Sequence, residues 1–296
     1  MKLRVLLAAM VAVASVGYCA GGKAGFEYLR VGVGERAVSM GGAFTGVADD
    51  ATAVFWNPAG ASQLANREMT VGYTDFVADI KIGDAAYMIP MGKYAVGIGV
   101  ENLYVEDWRR DEGGNVLGTF VNNETNVGMM LSYQVNKDLS VGGVVKGLYD
   151  QLDTERTSAI GIDLGAMYNV NGVNIGLVVR NLGTTLSYGE AAGVLPTEVK
   201  VGVGYYGLGG KGLVSSDLEM PFYGRKVLSI GGEYNVYKTI YVRAGYRMKE
   251  GGNELGSLDG VNAGLGFNIS AFKINYGIAP FGDFGVIHRV SLNRSF

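Results

Sequence analysis

The sequence predicts an all-β protein: a transmembrane antiparallel β-barrel of about fourteen strands (residues 67–296) with an N-terminal segment (residues 23–66) folded into its lumen. Three observations carry that expectation. From residue 67 onward, apolar and polar residues alternate with period two in segments of mostly nine to twelve residues, the length that crosses a bilayer as a tilted strand. Gly is abundant, 48 of 296 residues, while Pro is only 5, so the chain suits many strands in close backbone contact. The chain ends HRVSLNRSF, with Val290, Leu292 and terminal Phe296 on one face of a last strand.

The first 22 residues read as a secretory leader: Lys2 and Arg4, the apolar run VLLAAMVAVASVG, then small residues. Cys19 opens the alternative of a lipid-modified N-terminus, although Tyr18 before it fits that signal poorly. No later run of 18 apolar residues would form a transmembrane helix. The leader and the strand pattern together place the expected protein in a bacterial outer membrane.

Fourteen alternating segments follow, at 67–76, 80–90, 93–102, 125–133, 139–149, 158–169, 173–181, 197–207, 212–220, 225–234, 239–248, 260–269, 271–279 and 287–296. In AIGIDLGAMYN, Ile160, Ile162, Leu164, Ala166 and Tyr168 share one face, and Gly161, Asp163, Gly165, Met167 and Asn169 the other. A soluble sandwich would alternate in the same way, so the choice rests on the second face. That face is rich in Gly, Ser and Asn with occasional charges, as a crowded, wet lumen requires. Tyr133, Tyr149, Tyr168, Tyr205, Tyr234 and Tyr246 recur near strand ends, where aromatic girdles meet the membrane interface. An even strand number closes the sheet without edges, which hydrocarbon demands. Such a barrel has lipid and the barrel-assembly machinery as partners, and terminal Phe296 is the expected assembly signal.

Short turns at 135–138, 170–172 and 236–238 alternate with longer charged connections at 104–123, 151–157, 183–196 and 249–259. The long set is expected outside the cell and the short set in the periplasm. The second strand alternates poorly around Gly83–Ala86, a candidate kink for a wall opening. Lumen charges such as Asp163, Arg180, Glu198, Lys200, Glu233, Arg243, Arg247 and Lys273 balance in sign and are expected to pair across strands.

Several classes of function are excluded. A net charge of −3 offers no field for nucleic acid, and one Cys with one His supports neither a disulfide framework nor a zinc site. Gly32–Ala37 matches a loose GxGxxA, but no βαβ unit follows it. Neither Asp49–Asp50 nor Asp107, Asp111 and Glu112 have EF-hand spacing. His288 has no Cys partner and no Ser arranged as a nucleophile. The chain is therefore read as a non-enzyme without cofactor or metal.

Residues 23–66 do not alternate. Arg36–Val47 could hold a short helix, Asp49 is an expected N-cap for the next turn, and Pro58 with Gly60 ends it. Gly41 and Gly42 permit close backbone approach, Trp56 supplies apolar anchorage, and Asn57 is held extended by Pro58 so that its amide can tie the segment to the wall. The run GERAVSMGGAFTGVADDATAVFWNPAG resembles the N-terminal signature of the PorV/PorQ family, within the FadL-like group of fourteen-stranded outer-membrane proteins. The stretch INYGIAPFGDFGVIHRVSL is similar to that family's last hairpin, with Pro280, Gly282, Asp283, Gly285, His288 and Arg289 at its pattern positions. The resemblance implies hatch or gating roles for Gly41, Gly42, Asp49, Asp50, Trp56, Asn57, Pro58 and Gly60, and structural roles for the last-hairpin residues. It implies two functions that the residues leave open. One is a part in protein secretion or surface attachment, of the type IX kind, with a translocon and cargo as partners of the loops. The other is FadL-like transport of an apolar ligand past the hatch.

Overall fold

The computed structural model describes residues 25–184, 186–188, 191–256 and 258–296, so the expected leader and Cys19 lie outside the described residues. Among the described residues sixteen strands form, fourteen of them in one closed antiparallel barrel. They are β1 (Glu68–Asp75), β2 (Lys81–Met91), β3 (Tyr94–Arg110), β4 (Val116–Gln134), β5 (Leu139–Leu152), β6 (Glu155–Val170) and β7 (Val173–Gly183). After the small hairpin of β8 (Leu186–Tyr188) and β9 (Ala191–Gly193) come β10 (Glu198–Gly207), β11 (Gly212–Pro221), β12 (Val227–Tyr237) and β13 (Ile240–Lys249). The chain then runs through β14 (Val261–Ile269), β15 (Phe272–Pro280) and β16 (Val286–Ser295). The small hairpin stands apart from the barrel sheet, so β7 pairs directly with β10.

Closure comes from β16 lying against β1, in register from Glu68–Ser295 to Asp75–His288. The parity of the alternation decides which face looks out. On β16, Arg289, Ser291 and Asn293 are buried while Val290 and Leu292 are exposed. On β6, Ile160, Ile162 and Leu164 are exposed and Asp163 is buried. Apolar side chains therefore cover the outside and polar ones the inside, which only a hydrocarbon surrounding makes favourable. The molecule is a transmembrane β-barrel. Among the described residues no helix is long and apolar enough to cross a membrane.

Every predicted strand is present, and the departures lie in the connections and in the wall. The long connection expected at 151–157 is a tight turn, with Leu152 of β5 paired to Glu155 of β6, and the one expected at 183–196 carries the small hairpin. The connection expected at 104–123 is largely strand: beyond Lys81–Tyr104, β3 loses its β2 neighbour but stays paired with β4 up to Arg110–Val116. Paired with each other, the two strands satisfy the backbone groups that face inward between them, and above the membrane water can take the groups on their outer edges, so the hairpin rises past the rest of the wall. The expected kink at Gly83–Ala86 is absent, because β2 keeps an unbroken register with both neighbours. The wall is irregular elsewhere, between β6 and β7, where the register shifts around Ile162 and Leu164. There Asn181, at φ 58°, donates its backbone N–H to Asp163 over 2.7 Å, so a side chain supplies the bond that the ladder lost. Lys146 fixes that carboxylate at 2.8 Å.

Residues 26–64 form short pieces: a 3-10 turn at Glu27–Arg30, α1 (Glu35–Ser39), α2 (Ala53–Trp56) and a second 3-10 turn at Pro58–Gln63. The helix expected over Arg36–Val47 stops at Ser39, because Gly41 and Gly42 take φ of 67° and 73° and turn the chain. Asp49 does not cap α2: Thr52 occupies the N-cap position, and Asp50 accepts its backbone N–H at 2.9 Å.

The lumen and the N-terminal segment as candidate functional site

The segment is held by contacts with inward-facing residues of strands all around the wall, and a segment touching that many strands on one face of a closed sheet lies inside it. Its seats are glycines of inward parity. A Cβ at Gly231 would collide with Met40, at Gly245 with Gly41, at Gly202 and Gly204 with Gly46, at Gly176 with Thr45, and at Gly165 with Asn57 and Pro58. Each missing side chain admits one turn of the segment's backbone to the wall.

Specific bonds then fix the register. Asp217 on β11 accepts the backbone N–H groups of Phe44 and Thr45 at 3.1 and 2.8 Å. Asn57, fully buried, donates to the carbonyls of Thr45 at 2.9 Å and Ala166 at 3.2 Å, and its Oδ1 accepts the Ala59 N–H at 3.1 Å. Pro58 opens the 3-10 turn that this Asn caps. The Trp56 indole donates to Val33 O at 2.8 Å, meets Phe44 edge-on at 6.0 Å and lies 5.3 Å from the Lys200 ammonium. Ala48, Ala51, Ala53 and Ala59 fill the space between, each fully buried.

A charge network runs along the same contact. Arg36 binds Asp49 at 2.6 Å, Asp50 at 3.2 Å and Glu233 of β12 at 2.9 Å, and the Tyr206 hydroxyl also donates to Asp49. Arg243 of β13 bridges Glu233 at 2.6 Å and Glu35 at 3.0 Å. Burial works to lower the pKa of Arg36, but the carboxylates of Asp49 and Glu233 outweigh it and hold the guanidinium charged well above its usual range. Burial raises the Glu35 carboxyl above its ordinary value of 4.5, against the pull of Arg243 and a hydrogen bond from Ser39. Along the wall, Arg180–Glu198 and Lys200–Glu219 pair between neighbouring strands and Arg247–Glu219 one strand further apart, at 3.0–3.4 Å. Lys273 has no carboxylate within ion-pair distance among the described residues.

Two cavities flank the segment. At the long-loop end, a space of about 320 Å³ has a mainly apolar wall that includes Val31, Val38, Phe76, Val261, Phe281 and Ile287, interrupted by the charged side chains of Glu27, Arg30, Arg247, Lys249, Asp259 and Arg289. At the short-turn end, a space of about 240 Å³ is lined by charged and amide groups, including Arg36, Asp50, Glu68, Glu233 and Arg243.

Of the residues singled out in the sequence, Gly41, Gly42, Asp49, Asp50, Trp56, Asn57, Pro58 and Gly60 cluster in this buried segment. Gly60 packs against Ala48, where a Cβ would collide with backbone. Among the last-hairpin residues, Pro280 and Arg289 line the loop-end cavity. Gly282 and Asp283 form an exposed 3-10 turn, and His288 points outward, its Nδ1 2.7 Å from the Tyr276 hydroxyl. Phe296 is exposed and packs on Tyr87 at 6.3 Å. Sequence reasoning missed Glu35, Asp217 and the receiving glycines. The only available signal was glycine at inward parity on consecutive strands.

The fold and its lumen define the class: a fourteen-stranded transmembrane barrel with an N-terminal segment packed inside it. The chain belongs to the uncharacterised protein family UPF0164, whose model matches residues 7–207. Solved structures with the same fold include the Pseudomonas putida toluene transporter TodX, at TM-score 0.65 and 13% identity, covering 90% of this chain and 99% of that one. A Pseudomonas aeruginosa FadL homologue aligns at TM-score 0.62 and 12% identity, covering 88% and 97%. No curated protein sequence matches the chain.

Proposed function

We propose that the protein is an outer-membrane transporter of small hydrophobic molecules, with residues 23–66 as a hatch that the ligand must pass. The observation that carries this reading is the loop-end cavity. Its volume of about 320 Å³ suits a small organic molecule, and its aromatic and branched aliphatic wall favours an apolar one. Its floor is formed in part by Val31 and Val38 of the buried segment, so a ligand seated there rests on the hatch. The fold shared with the toluene transporter supports the same class of ligand without naming it. The contacts of Gly41, Gly42, Asp49, Asp50, Trp56, Asn57, Pro58 and Gly60 with one another and with the wall support the hatch roles proposed for them. Uptake of a fluorescent hydrophobic probe by cells expressing the protein tests the reading. Phe281→Asp, at the mouth of the cavity, should cut uptake severalfold, and uptake equal to that of the unaltered protein would refute it.

A second reading, a PorV/PorQ-like part in secretion or surface attachment, is favoured by one feature. The β3–β4 hairpin rises past its neighbours and exposes Trp108 and Leu117, 56% and 64% accessible. Extraction in mild detergent followed by mass spectrometry separates the two: co-purifying translocon or cargo proteins favour secretion, and a stoichiometric apolar molecule favours transport.

A further inference from the structure

The two cavities lie along one sector of the wall, and what separates them is small. Arg243, Gly264, Gly277 and Arg289 form a single cross-strand row on β13 to β16. Arg289 lines the loop-end cavity and Arg243 the turn-end cavity, so this row marks the boundary between them. At its centre the wall has no side chains, and α1 fills the gap. Ser39 and Glu35 stand over Gly264 and Gly277, where a Cβ on either glycine would collide with them. Both ends of the row grip the segment: Arg243 holds Glu35 at 3.0 Å, and Arg289 donates to Gly32 O at 3.1 Å.

The plug is one short helix set between flexible joints. Gly32 and Gly34 precede α1 at φ 84° and 78°, and Gly41 and Gly42 follow it at 67° and 73°. These are backbone states that glycine enters and leaves without steric cost. With α1 displaced, the glycine row would join the cavities into one passage through the barrel. Its turn-end half is lined by ionised groups, and lodging an apolar molecule there would strip them of water at a large cost. That half suits ions and small polar solutes.

We infer that the protein has a second, axial activity: a gated conductance for ions and small polar solutes along β13–β16, closed by α1 seated over Gly264 and Gly277. The inference does not depend on the hydrophobic-transport reading, because ionic current is blind to whether an apolar ligand binds, and either can fail alone.

The test is current through the purified full-length protein in planar bilayers. Arg243→Ala removes the ion-pair partner of Glu35 and should raise the open fraction at least about tenfold, equivalent to about 1.4 kcal/mol. If that variant fails to fold, as judged by loss of the heat-dependent gel shift of a closed barrel, Glu35→Ala takes its place, since it empties the row directly. The double variant Ser39→Cys/Gly277→Cys, made in the Glu35→Ala background so that the Glu35 side chain no longer meets the new Cβ, tethers α1 to the wall: Ser39 Oγ lies against the position of that Cβ, and a shift of a few tenths of an ångström brings the two thiols into disulfide geometry. In that background the oxidised tether should abolish the added current and reductant should restore it. Unaltered current in a folded opening variant, or current that persists through the oxidised tether, would overturn the inference.

Discussion

Replacing Asn57 by Ala probes how firmly the N-terminal segment is seated. Asn57 is fully buried and makes three bonds, two as donor to Thr45 O and Ala166 O and one as acceptor from Ala59 N. Truncation leaves those groups facing a void that their surroundings cannot fill. An orphaned buried polar group costs about 1–3 kcal/mol, and allowing for partial relaxation the loss is about 3 kcal/mol in total. If that loss falls on the docked state of the segment, the undocked population rises roughly a hundredfold. Limited proteolysis of the folded barrel in detergent reads that population as the rate of cleavage within residues 26–64, with barrel integrity followed separately by gel shift. Asn57→Asp serves as the control of shape. It keeps the volume and the bond from Ala59 N, but it turns an oxygen toward two carbonyl oxygens, so it should be at least as damaging as Ala. A cleavage rate within about twofold of the unaltered protein for both variants, less than about 0.5 kcal/mol, would refute the assignment of Asn57 as an anchor.

Trp56→Ala, which removes a buried indole together with its bond to Val33 O and its contact with Phe44, should loosen the segment by about 3–5 kcal/mol in the same proteolysis assay. Gly231→Val drives a side chain into Met40 O and should also expose the segment, whereas Gly83→Val, with nothing within 4 Å of the new Cβ, should leave cleavage unchanged. Docking should also depend on pH through Glu35. Its carboxyl is raised above 4.5 by burial, so the docked state binds the proton more tightly. The stabilisation is complete below about pH 4.5 and fades as pH rises through the raised value. Protease protection should therefore decline from acid toward neutral pH, and Glu35→Gln should flatten that contribution.

The barrel was readable because its cause is local: strand parity alone assigns each side chain to lipid or lumen, as Val290 against Arg289 illustrates. The hairpin rising from Val105 to Val121 was not readable, because its residues lose alternation where neither face meets lipid or a packed lumen. Pairing with a single neighbour keeps it a strand all the same. The break in the wall fell at Asp163 and Asn181 rather than at Gly83, since a bulge needs a partner for its freed backbone group, and Asp163 supplies one. In the N-terminal segment, the Asn57–Pro58 pair carried its geometry in sequence because proline restricts the residue before it. Asp49 misled for the opposite reason: its capping preference is weak beside an ion pair with Arg36, thirteen residues away and reached only through the fold. The seats at Gly176, Gly202, Gly231 and Gly245 were indistinguishable from other strand glycines until the segment lay against them.

The central claim is that the buried N-terminal segment closes the barrel. Reconstituting the protein in vesicles loaded with a small self-quenched dye, with and without residues 41–60, tests it directly. The account predicts that vesicles carrying the intact protein retain the dye and those carrying the deletion, folded by gel shift, release it. Equal retention by both would contradict it and leave the segment a structural filler.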